Sequence, residues 1–291
     1  MAGHKLRGTF HMMRYLTLPA FALLAACATP TAEVAAVPAL EKLWVAENFA
    51  APESVALAPD GNYLVSNVGM GEGGAKDGDG FISKISPDGE LIERYWGAKL
   101  NGPKGLAIHD GKLYVSDIDA VMVFDVDKGG VGEKIRVEGA AFLNDITAWQ
   151  GDIYVSDSRQ ARIYRIHDGE ASVWLEDERL AGVNGVLGDG VRLLVSTMTT
   201  GSLLSVTPEG AITEIASGMI NGDGIGIVPG GGYLVSSWSG QIHYVGEDGA
   251  VTKLLDTSEE GIQQSDLTEF GDVVIVPNWT PGTVTAWKVV R

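Results

Sequence analysis

Four side chains with oxygen ligands stand at the same point of a repeating unit: Glu53, Asn144, Asn184 and Asp223. Lys104 and Ser265 hold the equivalent places in two further units. Two carboxylates and two amide oxygens form a hard, doubly negative set. Such a set suits Ca²⁺ at about 2.3–2.6 Å, with water completing the shell. Mg²⁺, Mn²⁺ and Zn²⁺ are the other divalent candidates, but no thiolate or imidazole stands at these places, which counts against Zn²⁺. Asn and Asp also cap strand ends. The residue types alone therefore admit both a metal site and a set of caps.

The elements that must position these residues are strands. Residues 144 to 157, N-D-I-T-A-W-Q-G-D-I-Y-V-S-D, contain two short strands around a Gln-Gly-Asp turn. Copies recur, with second strands ending at Asn67, Asp117, Asp157, Thr197, Ser237 and Asn278, at steps of 50, 40, 40, 40 and 41 residues. Strands and Gly turns at a period near 40 predict a β-propeller, because one small sheet cannot cover its own apolar faces. The expected fold is all-β: six blades of four strands. Residues 41 to 48 resemble a fourth strand with no partners before them, and the last copy ends after its third strand. The N-terminal strand is therefore expected to complete blade six and remove two exposed edges.

In this topology the starts of first strands and the ends of second strands share one face, with the starts nearest the axis. The pocket wall is expected from Asn67, Asp117, Asp157, Thr197, Met198, Trp238 and Trp279. The two Trp either form an apolar platform for a ring-shaped substrate or fill space between blades. Lys104 has three readings: a partner of Glu53, a holder of an anionic group or oxyanion, or a solvated rim side chain. Asp145 either orients a neighbouring ligand or packs the inner strand. The insertion from Val68 to Gly80 reads as a lid, a second cation site at Asp77 and Asp79, or a plain flexible loop. No histidine maps to the channel mouth, so a His-dependent mechanism has little support.

The six-blade period and the ordered set resemble the regucalcin/gluconolactonase family and the related diisopropyl-fluorophosphatase and paraoxonase-type propellers. The matches are Glu53 in P-E-S-V-A-L, Asn144 in L-N-D-I-T, Asn184 in V-N-G-V-L and Asp223 in G-D-G-I-G. The resemblance covers roughly residues 41 to 290. It implies that these four surround a divalent cation, often calcium, and that Asp223 serves as general base or nucleophile in lactone or ester hydrolysis. Glu53 departs from the pattern in lacking the Gly-Pro and Trp that commonly follow it. Lys104 lies outside the carried-over set and is a catalytic candidate only through its charge. Two other readings stand beside the hydrolase: a non-catalytic propeller that acts as a binding platform, and a metal-free propeller of the strictosidine-synthase type.

The first 40 residues are not propeller. Lys5, Arg7 and Arg14 precede an apolar run, Leu16 to Ala26, too short for a membrane span. Leu24-Ala25-Ala26-Cys27 resembles a bacterial lipobox, and Cys27 is the chain's single cysteine. The expectation is a signal peptide over 1–26, a lipid-anchored Cys27 with a tether over 27–40, and a propeller over 41–291. An exported lipoprotein on the periplasmic side follows, on the outer membrane in a diderm bacterium, since Ala28 and not Asp follows the Cys. The net charge of −17 argues against nucleic acid and anionic lipid as partners. A monomer acting on a small molecule is expected.

Overall fold

The computed structural model describes residues 1–5, 8–9 and 36–291. The apolar run Leu16 to Ala26 and Cys27 lie outside the described residues. From Ala39 onward the chain forms six sheets, antiparallel but for one short edge strand, in order around an axis, an all-β six-bladed propeller.

Blades two to five are four-stranded and run from inside to outside in chain order. Blade three is representative: Leu143–Trp149, Asp152–Asp157, Arg162–His167 and Glu170–Glu176. Blade one carries a ten-residue outer strand, Leu91–Leu100, which takes Gly130–Val131 as a short parallel addition. Blade six is closed by the N-terminal strand Ala39–Ala46, paired antiparallel with Thr283–Val290. That strand begins two residues earlier than the sequence predicts. The inner strand of blade six is broken into Gln263–Gln264 and Thr268–Phe270, with Ser265 and Asp266 in the break.

Six apolar clusters hold the ring together, one at each blade interface. Leu64, Ile82, Leu113 and Phe124 join blades one and two. Val55, Val65, Ile275 and Val284 join blades six and one, across the closure. The alternation of the strands explains these clusters. Each blade presents one face to each neighbour, so both faces are apolar and few positions are left for polar side chains.

Every inner strand carries an irregularity at its start. The pairing register slips between Pro52 and Val55, Pro103 and Leu106, Leu143 and Ile146, Val183 and Val186, and Gly222 and Ile225. The residues inside these slips include Glu53, Lys104, Asn144, Asn184 and Asp223. A bulge turns a side chain away from the regular alternation. That is how strands buried on both faces can present polar groups along the axis.

A ring of serines fixes the bulges. Ser156 Oγ accepts from Asp145 N (2.9 Å) on its own blade and donates to Asn184 O (2.7 Å) on the next. Ser236 does the same with Gly224 N (2.8 Å) and Ser265 O (2.8 Å). Ser196 accepts from Gly185 N (3.0 Å) and donates to Asp223 O. Ser116 donates to Asn144 O. These are the serines of the recurring V-S at the end of each second strand. In blade six Pro277 replaces the serine, and its carbonyl accepts from Ser265 N at 3.0 Å.

Glycine follows the bulged residue where inner strands approach each other most closely. A Cβ at Gly105 would lie 2.6 Å from Ile146 N. At Gly224 it would collide with Asp266 Oδ1 and Leu267 N.

Candidate functional site

Glu53, Lys104, Asn144, Asn184 and Asp223 line one cavity at the top of the channel, with Gly73, Phe142, Met198, Trp238 and Trp279. Its volume is about 240 Å³. The four oxygen donors are buried, with exposures of 6%, 6%, 2% and 3% for Glu53, Asn144, Asn184 and Asp223. They come from four blades, so only ring closure brings them together.

The electrostatics are those of carboxylates short of positive charge. Burial first, then the charges of Asp223 and Asp266, push the Glu53 carboxyl well above the usual range, against the pull of Lys104. Burial and Asp266 push Asp223 up likewise, while a hydrogen bond from Asn184 favours its ionised form. A bound dication would reverse both shifts. The amides are oriented for such a role. Asn144 spends its Nδ2 on Ser158 Oγ (3.2 Å), which leaves Oδ1 as its unspent acceptor. Asn184 Oδ1 is buried with no hydrogen-bond partner among the described residues. A buried acceptor without a donor is costly unless something else satisfies it. The donor set therefore fits a hard divalent cation. Among the described residues no cluster of three or more His, Cys, Asp or Glu forms a ligand set, so any site here depends on the amide oxygens.

Lys104 is not on a solvated rim: its exposure is 3%. Its Nζ donates to Gly73 O (2.8 Å) and Gly102 O (3.0 Å) and lies 4.4 Å from the centre of the Phe142 ring. Burial draws its pKa down, against the opposing pull of Glu53 and Asp117. The ammonium thus fastens the insertion to the cavity. Lys76 ties the same insertion to Asp119 at 2.5 Å.

Asn67, Asp117 and Asp157 do not line the cavity, contrary to the sequence expectation, and nor does Thr197. All four are buried. Asn67 Oδ1 accepts from Ala50 N (3.0 Å), Asp117 from Gly102 N (2.8 Å), and Asp157 from Ala141 N (2.7 Å) and Phe142 N (3.1 Å). They fasten the segments that lead into the inner strands and so position Glu53, Lys104 and Asn144 indirectly. Strand alternation is the reason. The last residue of a second strand points into the blade, and the next one faces the cavity. Met198, Trp238 and Trp279 hold that next position. The two Trp rings meet edge to face, 5.2 Å apart at 69°.

Asp145 is a packing residue: its carboxylate accepts from Ile146 N and from Val186 N of blade four, both at 2.7 Å. Asp266, which the sequence reading passed over for Ser265, does the same between blades six and one, through Leu267 N and Ser54 Oγ, both at 2.7 Å. Burial pushes its pKa up to about 6. Phe142 and Gly73 were also missed. Phe142 stands two residues before Asn144, but nothing in its local pattern sets it apart from a core aromatic.

No protein-family model and no curated protein matches the chain by sequence. Solved structures do match by shape. A gluconolactonase from Xanthomonas campestris superposes with a TM-score of 0.65 at 15% identity, over 87% of this chain and 94% of that one. The chain shares the gluconolactonase fold. A catalytically inactive histidine-to-alanine variant of virginiamycin B lyase from Staphylococcus aureus matches at 0.61 and 13%, over 82% and 80%. An aldose sugar dehydrogenase from Streptomyces coelicolor, with bound PQQ, matches at 0.61 and 14%, over 88% and 100%. Names for a lactonase, a lyase and a dehydrogenase thus share this architecture. The likeness establishes the fold, and the side chains must decide the chemistry.

Proposed function

We propose that this chain is a divalent-cation-dependent hydrolase of lactones or esters, working at the top of the propeller channel, with Ca²⁺ the leading candidate. One observation carries the reading: two carboxylates and two amide oxygens from four blades meet in one cavity, and Asn184 Oδ1 is buried there with no partner among the described residues. Glu53, Asn144, Asn184 and Asp223 would hold the ion. Once bound, the ion supplies polarisation of the substrate carbonyl and stabilisation of the developing oxyanion. Asp223 takes the proton from the attacking water, or attacks the carbonyl itself. Phe142, Met198, Trp238 and Trp279 give the reacting group an apolar surround on the wall side. Among the described residues no histidine lines the cavity. The likeness to a lyase inactivated by loss of a histidine therefore lends no support to a lyase reading here.

The test is a calcium titration by calorimetry on chelator-treated protein. One saturable site, lost in Asp223→Ala, is expected. If no divalent ion binds, the hydrolase reading falls and a binding platform replaces it. We also propose export and lipid anchoring at Cys27. Metabolic labelling with a radioactive fatty acid, lost in Cys27→Ser, checks this.

A further inference from the structure

The cavity divides sharply by chemistry. Its charged and amide groups all come from inner-strand bulges and form the floor. Above them stand Phe142, Met198, Trp238, Trp279 and the backbone of Gly73. Among the described residues no Ser, Thr, Tyr or Gln side chain lines it. Lys104, the one ammonium among the described residues that line it, commits two of its three donors to the carbonyls of Gly73 and Gly102. A ligand here finds several partners for one polar end and, along its body, only the indole N–H donors of Trp238 and Trp279. Each hydroxyl carried into those walls beyond what the two indoles can satisfy would lose its water without replacement, at a cost of roughly tenfold in affinity.

Size gives the second constraint. A dry cavity of about 150 Å³ is enough for benzene. The cavity here, about 240 Å³, has room for one apolar ring carrying a compact reacting group. The insertion between Asn67 and Gly80 contributes Gly73 to its lining. A Cβ placed on Gly73 would lie 3.5 Å from the Trp279 ring and 3.9 Å from both Lys104 Cε and the Phe142 ring. Those are ordinary contact distances, and the backbone of Gly73 is not among those with positive φ. The absent side chain is therefore not demanded by strain. It leaves open space between the Trp279 and Phe142 rings.

We propose that this site takes a small ester or lactone whose body is a single apolar ring, that it disfavours polyhydroxylated sugar lactones, and that Gly73 sets the size of ring admitted. The reacting group rests on the hydrolase reading; the apolar body and the role of Gly73 do not.

The experiment uses lactams, which lack the scissile ester, so binding is read without turnover. Calorimetry on the whole protein compares 5-phenyl-2-pyrrolidinone, unsubstituted 2-pyrrolidinone and glucono-δ-lactam. The phenyl lactam is expected to bind at least about tenfold tighter than the sugar lactam. Gly73→Leu is expected to weaken the phenyl lactam about tenfold or more and to change 2-pyrrolidinone little. Gly73→Ala, a smaller intrusion, should act in the same direction and guards against misfolding of the leucine variant. Equal or tighter binding of the sugar lactam overturns the proposal. So does failure of all three ligands to bind, or an unchanged phenyl-lactam affinity in both folded variants. Assays on the corresponding lactones separate the two readings. Tight phenyl-lactam binding with no hydrolysis of any lactone sinks the hydrolase and leaves the apolar site standing. Preferred hydrolysis of gluconolactone sinks the apolar site and keeps the hydrolase.

Discussion

Replacing Ser156 by Ala should cost this protein much more than a serine hydroxyl usually does. Ser156 is fully buried. Its oxygen satisfies the N–H of Asp145 and the carbonyl of Asn184, on two adjacent blades. Alanine leaves both groups buried and unpaired, at about 1–3 kcal/mol each, so roughly 2–6 kcal/mol in total. For a domain of this size each kcal/mol lowers Tm by about 2–4 °C. A fall of roughly 8–16 °C is expected near the middle of that range. The damage should reach the site, because Asn144 and Asn184 ride on the two bulges that Ser156 joins. Loss of such a supporting hydrogen bond typically lowers metal affinity about 10- to 100-fold. Thermal melts with and without calcium, and calorimetric titration, read both effects. Ser172→Ala, at an exposed position on the outer strand of the same blade, is the control and should change stability by less than about 0.5 kcal/mol. Ser66→Ala should cost less than Ser156→Ala, because its second contact, to Ser54 O, stays within its own blade at 3.4 Å. If Ser156→Ala melts within about 2 °C of the parent and binds calcium unchanged, the serine ring does not hold the site.

Two further outcomes follow from the centre of the ring. Asp266, with its carboxyl pushed up to about 6, binds its proton more tightly folded than unfolded. Stability should therefore fall as pH rises from about 4 to about 6, by about 3 kcal/mol for a shift near two units, and Asp266→Asn should flatten that slope. Urea unfolding of chelator-treated protein across that range checks it, and an unaltered slope in the variant refutes it. Gly224→Ala should destabilise by about 1–3 kcal/mol or more, since its Cβ would strike Asp266 Oδ1 and Leu267 N; a parental Tm would show that the inner strands can separate.

The repeat, the blade count and the closure by the N-terminal strand were legible in the sequence by itself. Each depends on local pattern: alternating strands, Gly turns and a period near 40. The start positions were legible for the same reason, because a constant place in a repeat is a constant place in space. That is how Glu53, Lys104, Asn144, Asn184 and Asp223 could be grouped across some 170 residues of chain. Which way a side chain points was not legible at the strand ends. Asn67, Asp117 and Asp157 look like wall residues, but each turns inward to fasten its own blade, while the next position faces the cavity. The bulges were invisible too, since a register slip exists only between two paired strands. The V-S repeat was plain as a pattern, yet its meaning depends on a hydrogen bond to the next blade. Lys104 could be a rim residue, an ion-pair partner or an anchor until Gly73, thirty-one residues away, was placed against it. Local chemistry chose the strands and the donors. Ring closure decided which donors meet, because burial, strand direction and contact across blades arise only when the sheets pack.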